Sequence, residues 1–92
     1  MASLSTVVAD IIMSRAYFCG REGDYVTAED RDSAAYLDCQ NAAADILSIL
    51  NLNVESIFSV VESHIGSEYA HTLDAAERIL QTVFSHALSD ES

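Results

Sequence analysis

The sequence predicts an all-α fold, a small four-helix bundle-like domain with helices at about 3–19, 27–50, 53–65 and 67–88. Three observations carry this expectation. Apolar residues recur at spacings of three and four almost throughout, the period of an amphipathic helix. The 92 residues hold no proline and only three glycines, at positions 20, 23 and 66, which is too little turn punctuation for a β-rich fold. Capping residues stand where the apolar runs begin, and Gly66 stands where one of them ends.

In the first segment Leu4, Val8, Ile11, Ile12 and Cys19 form an apolar side, with Val7 and Phe18 at its edges. Asp10 and Ser14 fall on the wetter side. Gly20 is placed to supply the left-handed residue that closes the helix. So wide an apolar spread implies that this helix lies between two others or that part of it faces another subunit. Residues 21–26, REGDYV, form the longest loop, with Gly23 and Asp24 supplying turn chemistry.

Thr27 then opens the second segment as an N-cap, and Asp30 three residues on completes an aspartate version of the capping box. Val26, just before the cap, stands at the position of a hydrophobic staple. Glu29, Asp30 and Asp32 occupy the first turns, where the helix dipole favours anions. Residues 27–50 read as one long helix whose buried face carries Tyr36, Cys39, Ala43, Ile46 and Leu50, widened by Ala35, Ala42 and Leu47.

Asn53 caps the third helix, with Val54, Ile57, Phe58, Val61 and Ile65 on one face and Gly66 at its end. Ser67 caps the fourth, where Tyr69, Leu73, Ala76, Leu80, Val83 and Ala87 alternate by four and three as a bundle seam. A rival start for this helix is Thr72. A chain of this length makes one domain, 1–92, with a modest core. The third helix is too short to cover the second, which implies bent packing or an uncovered apolar strip, and such a strip favours a homodimer.

Fifteen Asp and Glu stand against four Arg and no Lys, a formal net charge of −11. A surface of that sign repels nucleic-acid phosphates and anionic membranes, so direct binding to either is not expected. The same scarcity of cations argues against phosphate, nucleotide or coenzyme binding, and there is no glycine-rich phosphate loop. No cofactor is expected. No segment has a secretory pattern or a membrane-spanning apolar run, so the expected place is a reducing cytoplasm with Cys19 and Cys39 as buried thiols.

Chemistry-bearing motifs are sparse. Glu68 and His71 match Glu-x-x-His, a spacing used by di-iron carboxylate bundles, but those sites need two copies and further carboxylates, and His64 is cut off by Gly66. No metal site is expected. His86 suits a position near a helix C-terminus. Neither cysteine has the electropositive neighbour that activates a thiol, so an enzyme is not expected.

The densest acidic stretch is the most suggestive feature. Glu22, Asp24, Tyr25, Glu29, Asp30, Asp32 and Asp38 form the candidate partner-binding set: carboxylates for steered encounter with a basic groove, and a tyrosine as anchor. Tyr36 is either a second anchor or a core residue. In size, acidity and lack of lysine the chain resembles phage-encoded inhibitors of host nucleic-acid machinery, such as anti-CRISPR proteins, and bacterial immunity proteins. The resemblance covers charge and size and no motif. It implies a protein that occludes a basic, nucleic-acid-binding protein surface. The alternative is a structural or regulatory helical homodimer or adaptor whose acidity serves solubility only.

Overall fold

The computed structural model describes residues 3–19 and 25–91. The described residues form five α-helices and one π-helical stretch: α1 (Leu4–Ile11), the π segment (Ile12–Tyr17), α2 (Ala28–Arg31), α3 (Ala34–Leu47), α4 (Val54–Ile65) and α5 (Tyr69–Glu91). No strand occurs among the described residues. The expected all-α architecture is therefore present.

Helix α1 starts at Ser3, whose hydroxyl accepts from the Thr6 amide at 3.2 Å. From Ile12 the helix widens, and the Phe18 amide donates to the Met13 carbonyl five residues back. A π turn holds more residues than an α turn, so the side chains that follow the segment are rotated from the positions an α period gives them. Ser14, expected on the wet side, is fully buried, and its hydroxyl donates to the Ile11 carbonyl at 3.3 Å. Cys19, expected in the core, is exposed. It also takes the left-handed conformation, at φ 56°, that the sequence assigned to Gly20, which lies outside the described residues.

The long helix expected over 27–50 is broken. Thr27 and Asp30 do form the capping box: the Asp30 amide donates to Thr27 Oγ1 at 3.1 Å, and the Thr27 amide donates to Asp30 Oδ2 at 3.0 Å. After one turn, however, Ser33 interrupts. Its hydroxyl donates to the Asp30 carbonyl at 2.7 Å and accepts from the Tyr36 amide, so Ser33 becomes the N-cap of a new helix. That helix ends at Leu47, short of the expected residue 50, where the Ser48 hydroxyl takes the Asp45 carbonyl. Leu50 is consequently 98 % exposed rather than a core residue.

Asn53 caps α4 with Ser56 as its reciprocal partner, and Gly66 closes it at φ 68°, a conformation that side chains resist. Helix α5 begins at Tyr69, between the two expected starts. Ser67 turns its hydroxyl to Thr72, and Tyr69, placed on the seam by its spacing, is exposed against Phe58.

The π segment and α1 lie at the centre. Together they touch α3, α4 and α5, the arrangement that the wide apolar spread of the first segment suggests. Val8, Ile11, Ile12 and Met13 meet Cys39, Ile46, Ile57, Val61 and Ile79 in one hydrophobic cluster. Each fully buried Ile or Val there contributes about 1.5–3 kcal/mol relative to exposure. Helices α1 and α3 run in the same direction where they meet. Asp10 faces Tyr36, and Met13 faces Cys39 one turn further along both.

Candidate partner-binding surface

The acidic residues near the start of α3 divide into two kinds. Asp10 and Asp30 serve the fold. Asp10, on α1, keeps only 13 % of its side chain exposed. Arg31 grips it through two guanidinium nitrogens, Nε to Oδ1 at 3.3 Å and Nη2 to Oδ2 at 2.7 Å, and the Tyr36 hydroxyl donates to Oδ1 at 2.6 Å. Asp30 holds the capping box. Glu29, Asp32 and Asp38 form the other kind: all three are exposed. Tyr25 is 68 % exposed beside them in sequence, just before Val26, which is buried as a staple position requires. Glu22 and Asp24 lie outside the described residues.

The electrostatics follow from these contacts. The hydrogen bond and charge of Asp10 hold Arg31 still more firmly protonated than an ordinary guanidinium. Burial, and then the hydrogen bond to Asp10, push Tyr36 up to about 12, with Arg31 opposing. Tyr36 is therefore a neutral core residue, 3 % exposed, and not an anchor on the surface. Arg31, the basic side chain between residues 25 and 38, is turned onto Asp10 and away from a role in neutralising its acidic neighbours.

Chemically reactive groups are not assembled here. The two cysteines are both free thiols. Burial, followed by the charges of Asp38 and Asp10, pushes Cys39 up to about 12, and its thiol points at the Met13 sulfur 3.7 Å away. A thiol so placed is a small hydrophobe with little thiolate. Glu68 and His71 approach only to 3.9 Å on an exposed turn. Among the described residues no group of three or more His, Cys, Asp and Glu gathers to hold a metal, and no helix is long and apolar enough to cross a membrane.

Sequence reasoning missed two features. The first is the Asp10–Arg31–Tyr36 network. Its signal was present: a carboxylate inside the run Val7–Ile12 needs a cationic partner if it is buried. The second is a groove between α3 and α4. It has a volume of about 260 Å³ and is lined by Asp45, Ser59, Val60, Ser63 and His64, with His64 Nε2 and Asp45 Oδ2 2.7 Å apart. Neither side of it carries a recognisable spacing, so only the packing of the two helices reveals it.

Comparison of the chain with protein-family models, with curated proteins and with solved structures finds no match.

Proposed function

We propose that this is a non-enzymatic acidic interaction protein that binds and occludes a basic protein surface, one that otherwise holds nucleic-acid phosphates. Inhibitors of the anti-CRISPR and immunity-protein type act in this manner. The observation that carries the reading is the exposed set Glu29, Asp32 and Asp38 with Tyr25, on a chain whose net charge is −11 and whose nearest arginine is tied to Asp10. Exposed carboxylates beside an arginine already engaged by Asp10 steer a basic partner and pair with its Arg and Lys side chains on contact. Tyr25 offers the amphipathic ring favoured at interface centres. Two free thiols, one of them buried, fit a reducing cytoplasm as the place of action.

The test is an affinity pull-down from lysate of the source cell, washed first at low and then at high salt. A basic nucleic-acid-binding protein held in the first wash and released in the second is the expected result. A catch that survives high salt unchanged, or that is acidic, contradicts the reading.

A further inference from the structure

We infer that the outer flank of α5 is the interface of an antiparallel homodimer, in which a second copy of the chain lays its own α5 against the same strip. The inference concerns a different face from the acidic patch and does not rest on the partner reading above.

Helix α5 carries a buried face and, beside it, an apolar flank. Thr72, Ala75, Ala76 and Ile79 are buried and face the core. Tyr69, Leu73, Leu80 and Phe84 lie to one side of them, within an arc of about 60° at the pitch of an α-helix. Tyr69 is 71 % exposed and Phe84 55 %, with Leu73 and Leu80 half-buried between them. No polar residue between 69 and 87 falls inside that arc; the nearest is Glu77, about 20° beyond its edge. The strip runs for about 23 Å along the helix. Phe58 of α4 adjoins its start, with its ring centre 5.1 Å from that of Tyr69.

The spacing of the strip names its occupant. Tyr69, Leu73, Leu80 and Phe84 are separated by four, seven and four residues, a pattern that reads the same from either end. A twofold contact between antiparallel helices needs such a pattern, because a residue that touches a second one must be touched by it in return. About an axis between Ala76 and Glu77, Tyr69 meets the partner's Phe84 and Leu73 meets the partner's Leu80. Aromatic pairs then close both ends and leucines fill the space between. Charge admits a second copy here. The chain carries −11, yet residues 69–87 hold only Asp74, Glu77 and Arg78 besides two histidines, and Asp74 is paired with Arg15 at 2.8 Å. A basic partner finds little on this flank to attract it, and a second copy finds little to repel it. The exception is Glu77. The antiparallel pairing brings the two Glu77 side chains to the same rim beside the axis, whereas a parallel pairing puts them on opposite rims.

Sedimentation equilibrium of the whole chain across concentration, at low and at high salt, tests this. The mass should rise from 10.0 kDa toward twice that value as concentration rises. Because both copies are strongly acidic, salt should strengthen the dimer by screening, the opposite of its effect on a basic partner. Tyr69→Ser and Phe84→Ser should each weaken the dimer about tenfold. Glu77→Gln should strengthen it about threefold, by removing the like-charge pair at the axis. Leu50→Ser, which replaces an apolar side chain that is 98 % exposed elsewhere, should leave it unchanged. Far-UV circular dichroism confirms that each variant keeps its helices. A monomer at every concentration, equal losses for Phe84→Ser and Leu50→Ser, or a dimer that Glu77→Gln does not strengthen overturns the antiparallel pairing. A monomer that still captures a basic partner at low salt removes the dimer alone. A dimer that captures no salt-released basic partner removes the reading of the acidic patch alone.

Discussion

Asp10 accepts three hydrogen bonds, two from Arg31 and one from Tyr36, in a position nearly closed to water. A carboxylate there without partners would have to take up a proton or force the helices apart. With them, it joins α1 to α2 and α3 at one point. Tyr36→Phe removes the hydroxyl and leaves the ring in place. Because the lost bond is to a charged acceptor, the variant should be destabilised by about 1.5–3 kcal/mol in urea titration. A loss well below that would mean that the Arg31 fork alone satisfies Asp10.

The same residues give a pH signature. Tyr36 and Cys39 both hold their protons more tightly in the folded chain than in the unfolded one, where their ordinary values are 10.0 and 9.0. Above those values the unfolded chain ionises first and is favoured. Stability from this source is therefore complete below about pH 9 and is lost as pH rises toward 12. Urea midpoints measured between pH 8 and 11 should be flat at first and then fall. Tyr36→Phe should keep only the part of the fall that belongs to Cys39.

At the scale of the elements, two departures from regular α-helix set the register: the π segment and the interruption at Ser33. Ser14 is buried because helices surround the first segment, Cys19 is exposed just past the π segment, and the interruption separates the acidic first turn from α3. Neither was legible in the local pattern. An ideal period of 3.6 predicts the wrong faces after Ile12, and Ser33 reads as an ordinary mid-helix serine until its two hydrogen bonds are seen. The capping signals of Thr27, Asn53 and Gly66 were legible because they act within one turn of chain.

Ser33→Ala distinguishes the interrupted helix from a continuous one by sign. In a continuous helix alanine is the better residue and the change stabilises slightly. At the N-cap of α3 it should cost about 1 kcal/mol in thermal or urea unfolding.

For the whole molecule, the all-α class followed from composition and periodicity, since no proline and few glycines leave little room for turns. The surplus of negative charge was equally plain. The division of labour within that surplus was not. Asp10 and Asp30 have structural work that depends on Arg31 and on a cap, while Glu29, Asp32 and Asp38 stay in water. The groove at Asp45 and His64 depends on α4 crossing α3, a non-local fact that no single segment encodes.

On the function proposed above, exposed carboxylates, and not a reactive group, are the working part. This is tested most directly by the association rate of the captured basic partner across ionic strength, for the wild-type chain and for the double variant Glu29→Lys, Asp32→Lys. The wild-type rate should fall steeply with salt, and the variant rate should be roughly tenfold lower at low salt with a flatter dependence. Equal rates and equal salt slopes for the two proteins would contradict it.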